Sequence, residues 1–179
     1  MALAHAGQDN LRSAFRMLAA GRMEALETVW RELAGPLHGY AFALTGDEDE
    51  ADDILCDVVA KLLRSRGRLR WVRNPKAYLF AAARNCARDG AERRSRAPFV
   101  PLTGCTEPAV SEPFPAVDVL SAVMALPNEQ REAVVLHIWG GLTFREIGRL
   151  TGTRTATATS RYRYGLGKLR QALGETNDE

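Results

Sequence analysis

The side chains best suited to specific recognition chemistry lie near the C-terminus, in the sequence LTFREIGRLTGTRTATATSRYRYGLGKLR at residues 142–170. The later part of this segment has few apolar residues and many hydroxyl and cationic side chains, namely Thr157, Thr159, Ser160, Arg161, Arg163, Lys168 and Arg170. Such groups can hydrogen bond to base edges and to phosphates. The segment is therefore expected to bind duplex DNA.

Two helices joined by a tight turn are predicted to position these side chains. Thr143 and Glu146 have the spacing of a capping box, which marks a helix start. An apolar stripe at helical spacing follows: Leu142, Phe144, Ile147 and Leu150. Gly152 provides the turn, and the second helix is expected from about Thr155 to Leu173. The pattern is that of a helix-turn-helix, with a solvated amphipathic hairpin as the alternative.

The charges are sorted along the chain, although the net charge of the 179 residues is only +2. Residues 47–57 hold seven acids and no lysine or arginine, whereas residues 61–96 hold twelve lysines and arginines against two acids. Residues 97–118 hold three acids and no base, and residues 143–170 hold seven bases against one acid. Two basic blocks around an acidic spacer indicate two nucleic-acid contacts.

No residue pattern in the sequence supports a catalytic, cofactor or metal site. Cys56, Cys86 and Cys105 are far apart and odd in number, which favours neither a disulfide framework nor a zinc site. The three histidines are scattered, and the acids at Asp49, Asp52 and Asp53 come from one element, whereas metal ligands usually come from several. We expect no enzyme, no cofactor and no metal.

No apolar run approaches the ~20 residues of a membrane span. The N-terminus also lacks the cationic start and apolar core of a signal peptide. We therefore expect no membrane insertion and a cytoplasmic protein.

Helical periodicity extends over the rest of the chain, which predicts an all-α fold of two small helical domains joined by a flexible linker. The expected helices cover residues 11–20, 23–44, 48–64, 75–95 and 117–125, with another starting at Asn128 and ending at Gly140. Trp30 belongs to the apolar repeat of the second helix, and a loop with Gly67 is expected to lead to Asn74. Pro36 predicts a kink or a break, and Asn74 before Pro75 predicts a helix cap. Five prolines in residues 97–115 predict the linker. The predicted domains are residues 11–96 and 117–173, with the linker at 97–116.

The chain resembles the bacterial sigma-70 family of RNA polymerase sigma factors. LPNEQREAVVLHIWGGLTFREIGRLTG is similar to region 4 of that family, and ALTGDEDEADDILCDVVAKLL with NPKAYLFAAARNCARDGAERRSR is similar to region 2. Regions 2 and 4 with only a short linker are the layout of the extracytoplasmic-function (ECF) subgroup. The resemblance spans about residues 11–173 and implies a sigma factor that binds core RNA polymerase and directs promoter-specific transcription initiation.

The resemblance also implies site residues. Those expected to bind core polymerase are Asp49, Asp52, Asp53, Leu55, Asp57 and Val58. Those expected to open and hold the minus-10 promoter element are Arg70, Trp71, Arg73, Asn74, Lys76, Arg84, Asn85 and Arg88. Those expected at the minus-35 element are Arg145, Arg149, Arg154, Thr157, Thr159, Ser160, Arg161, Arg163, Tyr164 and Lys168. The implied partners are core RNA polymerase, promoter DNA and an anti-sigma factor.

The entry to the second helix of the helix-turn-helix departs from the family pattern. Ala156-Thr157-Ala158-Thr159-Ser160-Arg161 stands where Gly-Thr-Val-Lys/Arg-Ser-Arg is common, so a core valine is replaced by Ala158 and a cation by Thr159. Arg154 takes the place of a capping serine, so Thr153 or Thr155 would have to provide the cap if any side chain does. Cys56 stands where glutamine is usual. These changes affect promoter preference most.

Two other functions fit parts of the pattern. A transcriptional regulator could use the helix-turn-helix alone and sense or dimerise through its N-terminal helices. Twelve cations in residues 61–96 argue against this, since a dimerisation bundle does not need them. A helical adaptor that binds polymerase without reading DNA is the other alternative, and the altered second helix favours it.

Overall fold

A computed structural model describes residues 2–96 and 115–174, and within these ranges the structure is helical and contains no strand. The first domain contains α1 (Ala2–Ala19), α2 (Ala25–Thr45), α3 (Glu48–Arg64), a 3₁₀ helix (Arg66–Trp71) and α4 (Pro75–Arg96). The second contains α5 (Pro115–Met124), α6 (Asn128–Ile138), α7 (Phe144–Thr151) and α8 (Thr155–Ala172). The predicted all-α class is confirmed, and Cys105 lies outside the described residues.

Local sequence signals explain the helix ends of the first domain. Gly46 adopts φ 75°, a conformation that suits glycine, and its N–H donates to the Phe42 carbonyl to end α2. The Asp47 side chain then accepts from the Glu50 N–H at 2.9 Å and caps α3. Asn74 accepts from the Ala77 N–H at 3.0 Å, so the predicted cap of α4 is confirmed.

The structure corrects three sequence predictions about the first domain. α1 begins at Ala2 and not at Leu11. Of the kink or break expected at Pro36, the break does not occur, because Leu33 and Leu37 on either side of the proline are buried and packing holds α2 together. The predicted loop around Gly67 forms the short 3₁₀ helix.

Four helices and the 3₁₀ helix of the first domain share one apolar core. The largest fully buried side chains include Phe15, Tyr40 and Phe80. The Tyr40 and Phe80 rings meet edge to face with centroids 5.3 Å apart, and Phe15 meets Tyr78 in the same way at 6.0 Å. Leu69 of the 3₁₀ helix is also buried, which fixes this short element against α1.

The helix-turn-helix in the second domain forms as predicted. Thr143 and Glu146 make a complete capping box at the start of α7, and Gly152 ends the helix with φ 73°. His137 stacks on Phe144 with centroids 4.4 Å apart. Neither Thr153 nor Thr155 caps α8, because Arg154 occupies the cap position and its side chain makes no capping hydrogen bond.

α8 packs unusually close to α6 at Gly165. A Cβ atom at this glycine would lie 2.9 Å from Val134 Cγ2 and 3.3 Å from the Gln130 carbonyl oxygen. Ala158, one of the departures from the family pattern, is buried in the same domain core. The small residues on α8 therefore set how near the two helices lie.

Candidate nucleic-acid interface

The exposed part of α8 carries the side chains expected to read DNA. Arg163 is exposed and 68% of Tyr164 is accessible. Thr159 and Ser160 share this face at i, i+4 spacing with those residues. Their hydroxyls donate to the carbonyls of Thr155 and Thr157 at 2.9 and 3.0 Å, which leaves the oxygen lone pairs as acceptors.

Cations flank this face. Arg145, Arg149, Arg154 and Lys168 are exposed, and Thr157 is half-buried. Arg161 differs from the others because its guanidinium forms a 2.7 Å ion pair with Glu129 of α6. The structure therefore leaves four of these five cations accessible for phosphate contacts, and engages Arg161 within the domain.

A second cationic surface lies around the 3₁₀ helix of the first domain. Trp71 is 74% accessible, and the Arg70 guanidinium lies 5.0 Å from the centre of its ring. Arg70, Trp71 and Arg73 line a cleft of about 350 Å³ together with Arg12 and Arg16 of α1. The sequence prediction missed Arg12 and Arg16, although their i, i+4 spacing places two arginines on one helix face.

The residues of α4 and its cap Asn74 that are expected to bind minus-10 DNA divide into two groups. Asn85 and Arg88 are exposed, with Arg88 Nε 4.0 Å from Glu92 of the same helix. Asn74 and Arg84 instead contact the second domain: Asn74 donates to Glu146, and Arg84 Nε donates to Glu132 at 2.8 Å. Lys76 also faces that domain, since its Nζ would lie 3.4 Å from a Cβ at Gly141.

Glu132 is the centre of the contact between the domains. Its side chain is only 10% accessible and accepts hydrogen bonds from the Arg84 guanidinium and, at 2.7 Å, from the Tyr40 hydroxyl. Burial raises the pKa of Tyr40 well above its ordinary value, and the Glu132 charge raises it further, so the phenol remains a donor. The hydrogen bond to Glu132 also raises the pKa of Arg84. We call Tyr40, Arg84 and Glu132 the interdomain triad.

Arg131 adds a second link beside the triad. Its guanidinium donates to the Ala43 carbonyl of the first domain at 3.0 Å and to the Met124 and Leu126 carbonyls of the second at 2.7 and 3.1 Å. Burial lowers the pKa of Arg131. Because all three acceptors are backbone groups, this link does not depend on the side chains at those positions.

The acidic side of α3 forms a separate surface. Asp49 and Asp53 are exposed and form no ion pair within the described residues, whereas Asp52 lies 3.3 Å from His38 Nε2 and Asp57 lies 3.6 Å from Arg93. Cys56 is also exposed on this helix. We call Asp49, Asp52, Asp53 and Cys56 the acidic surface.

The expected role of Leu55 and Val58 in binding core polymerase has to be corrected. Leu55 and Val58 are buried, with 6% and 3% accessibility, because they face the core of the domain. The exposed apolar side chains nearby come instead from Met23 and Trp30, which line an open groove with Val59 of α3. Trp30 was expected in the buried repeat of its helix, and nothing in its spacing distinguishes it from the core residues.

Among the side chains that the structure describes, in residues 9–95 and 119–174, no group of three or more histidine, cysteine, aspartate or glutamate residues lies close enough to hold a metal ion. No helix in the same part of the chain is both long enough and apolar enough to cross a membrane.

Comparison with known families accounts for both domains. Residues 29–97 match the family model of sigma-70 region 2, and residues 116–169 match that of sigma-70 region 4. The chain is 29% identical over 161 residues to the RNA polymerase sigma factor CarQ of Myxococcus xanthus, with 87% of this chain and 92% of the relative covered. It is 29% identical over 176 residues to the ECF RNA polymerase sigma factor SigM of Mycobacterium tuberculosis, with 96% and 90% covered.

The chain is an ECF sigma factor of the sigma-70 family.

Solved structures show the same fold. The sigma factor RpoE of Bartonella quintana, in complex with the anti-sigma factor NepR, superposes with a TM-score of 0.68 at 22% identity, over 88% of this chain and all of that one. CnrH, in complex with the cytosolic domain of CnrY, superposes with a TM-score of 0.65 at 20% identity, over 92% of this chain and 97% of that one.

The assignment confirms the function inferred from the sequence. The ECF sigma factor directs promoter-specific transcription initiation by RNA polymerase. The regulator and adaptor alternatives are not favoured, because both regions of the family are present in one chain.

Proposed function

We propose that the two domains of this sigma factor divide promoter recognition between them. Residues 11–96 would dock on core polymerase and hold the minus-10 element, residues 97–116 would form the linker, and residues 117–173 would bind the minus-35 element. The observation that carries this division is the separation of one acidic and two cationic surfaces over the two domains. The sigma factor would act by binding alone, in the cytoplasm with polymerase, without catalysing a reaction.

The acidic surface is the proposed site for core polymerase. Asp49 and Asp53 are exposed without an ion-pair partner in the described structure, so a basic partner would not have to displace one. Asp57 could also contact the basic partner once its ion pair with Arg93 is broken. The groove at Trp30 and Val59 supplies apolar area next to these acids. Charges at the edge and apolar contacts at the centre are typical of a specific interface.

The proposed minus-10 surface combines cations with an exposed aromatic ring. Opened DNA offers phosphates to Arg70, Arg73, Asn85 and Arg88, and an unstacked base could rest on Trp71. The proposed minus-35 surface uses Thr159, Ser160, Arg163 and Tyr164 for base edges, with Arg145, Arg149, Arg154 and Lys168 for phosphates. Arg161, held by its ion pair with Glu129, would help to keep Thr157 and its neighbours in position.

The contact between the domains indicates how access to DNA is controlled. Asn74 and Arg84, both proposed to bind the minus-10 element, are hydrogen bonded to acids of the second domain. The Glu132 carboxylate accepts from the Arg84 guanidinium, which is the donor that a phosphate would use. The two domains would therefore have to separate before region 2 binds its full DNA surface.

An anti-sigma factor is the third proposed partner. The structural relatives RpoE and CnrH are in complex with NepR and with the cytosolic domain of CnrY. The second domain here exposes Leu120, Ile138 and Trp139, of which Leu120 and Trp139 line an apolar pocket with Phe42 of α2. These side chains offer an apolar surface for such a partner.

Initiation assays test the proposal directly. The purified chain would be added to core polymerase on genomic DNA, and the 5′ ends of the transcripts would be sequenced. We expect a defined set of start sites with shared sequences upstream. Failure to bind core together with the absence of new start sites would contradict the proposal.

Protection of Cys56 is a simpler test of the docking surface. Cys56 is exposed, whereas Cys86 is buried and burial raises its pKa, so a maleimide reagent should label Cys56 far faster. In a Cys105→Ser background, core polymerase is expected to slow this labelling at least about tenfold, because the thiol lies among the docking acids. Mass spectrometry of the labelled peptides measures it. Unchanged labelling in a formed complex would place the docking surface elsewhere.

Arg163→Ala tests the reading face of α8. Loss of one bidentate base contact should reduce initiation from promoters that depend on the minus-35 element by about tenfold, within the ~1–3 kcal/mol expected for such a contact. In vitro transcription measures the change, with Arg31→Ala on the first domain as the charge-matched control. An unchanged promoter profile would show that another face of α8 reads DNA.

A further inference from the structure

The cleft between α1 and the 3₁₀ helix lies partly outside the region 2 match, which begins at residue 29. Its cavity of about 350 Å³ is lined by Arg12, Arg16, Leu69, Arg70, Trp71, Val72 and Arg73. Volumes of roughly 300 to 1,000 Å³ are usual for small-ligand sites. Four guanidinium groups around one cleft indicate an anionic occupant.

Packing of α1 builds this cleft. Leu11 and Phe15 of α1 and Leu69 of the 3₁₀ helix are buried, so the two elements are held together by the domain core. Arg12 Nε donates to the Arg73 carbonyl at 2.8 Å, which joins the two walls. Arg12 and Arg16 project from the same side of α1 because they are one turn apart.

The charges in the cleft are poorly neutralised by the protein. Arg16, Arg70 and Arg73 form no ion pair with the side chains that the structure describes, in residues 9–95 and 119–174. Asp9 lies 3.7 Å from a terminal nitrogen of Arg12, longer than the roughly 2.7–2.9 Å of a charge-assisted hydrogen bond. A phosphate in the cleft would not have to displace a strong internal partner.

The exposed ring of Trp71 favours a nucleic-acid strand over a simple anion as the occupant of the cleft. Its face is accessible at the edge of the cleft, and stacking of a base on such a ring is worth roughly 1–3 kcal/mol. A base inside a duplex cannot reach this face, whereas an unpaired base can.

We propose that Arg12 and Arg16 of α1 extend the minus-10 site, so that the cleft binds the phosphate backbone of the unpaired promoter strand while one base stacks on Trp71. The proposal rests on the proposed function of region 2. It adds a second wall, from outside the family match, to the surface formed by Arg70 and Arg73. The bound species is single-stranded DNA.

Arg16→Ala tests the proposal with little risk to the fold, because the Arg16 side chain is exposed and forms no hydrogen bond or ion pair with the described side chains. Holoenzyme would be assembled with the variant and titrated with a fluorescent fork-junction DNA whose non-template minus-10 segment is unpaired, taken from a mapped start site. We expect a threefold to tenfold weaker Kd and a salt dependence shallower by about 0.7, the contribution of one phosphate on a single strand. Arg16→Lys should recover most of the affinity.

Arg22→Ala is the matched control, since Arg22 is exposed just after α1 but does not line the cleft. An unchanged Kd for Arg16→Ala, or an equal loss with Arg22→Ala or on a fully paired probe, would overturn the proposal. Core binding by the variant, measured separately, shows that holoenzyme has formed. If Arg70→Ala weakens fork binding and Arg16→Ala does not, this inference fails while the function of region 2 stands; if wild-type holoenzyme ignores the fork DNA, the proposed function itself fails.

Discussion

Glu132→Ala is expected to shift the sigma factor to an open arrangement in which the two domains no longer contact each other through the interdomain triad. Removal of the carboxylate leaves the Tyr40 hydroxyl and the Arg84 guanidinium without their shared acceptor. Because Tyr40 is buried and Arg84 is partly buried, the closed state should lose about 2 kcal/mol, roughly a thirtyfold shift. Small-angle X-ray scattering should report a larger radius of gyration.

DNA binding provides the second readout of this variant. Arg84 becomes free for phosphate, so the affinity of Glu132→Ala for unpaired minus-10 DNA should rise several-fold rather than fall. Tyr40→Phe should act in the same direction but less strongly, because it removes one hydroxyl and keeps the ion pair. Glu27→Ala, which breaks only an exposed pair with Arg31, is the control. Unaltered scattering and DNA affinity in a folded Glu132→Ala variant would refute the closed arrangement as a barrier to DNA.

Charge reversal on the acidic surface should have the other large effect. The double change Asp49→Lys and Asp53→Lys replaces two attractive charges by two repulsive ones on one face of α3. We expect the affinity for core polymerase to fall about a hundredfold, mainly through slower association, and to recover partly in high salt. Surface plasmon resonance with immobilised core measures both rates.

Two comparisons separate docking from general charge effects. Asp49→Asn with Asp53→Asn removes charge without reversing it, so its loss should be about tenfold. Asp9→Lys changes an exposed acid on α1 and should leave core affinity unaltered. Equal losses from Asp9→Lys and from the double reversal would argue against a localised docking surface.

Local signals made most of the helix boundaries predictable. Asp47, Asn74 and the pair Thr143 and Glu146 each bond to nearby N–H groups, so their effect depends only on neighbouring residues. Gly46 and Gly152 adopt the positive φ that their type allows. The sequence could not exclude a break at Pro36, because the cost of the proline is local, whereas the burial of Leu33 and Leu37 that keeps α2 whole comes from distant packing.

Contacts between distant segments limited prediction of the site. Arg84 and Glu132 are 48 residues apart, and neither carries a sequence signal that it pairs with the other. Leu55 and Trp30 show the same limit. Leu55 was expected on the surface and is buried, whereas Trp30 was expected in the core and is half-exposed. Periodicity locates a helix stripe, but the packing of the whole domain decides which edge of it meets solvent.

The tight approach of α8 to α6 at Gly165 has an evolutionary consequence. Exposed residues such as Arg163 and Tyr164 can change without moving the helix, so promoter preference can drift by side-chain replacement alone. A side chain at Gly165 would instead press on Val134 and displace the α8 backbone, altering every base contact at once. A new promoter specificity can therefore arise gradually, through changes on the exposed face of α8, or abruptly, through a change at Gly165 in the core.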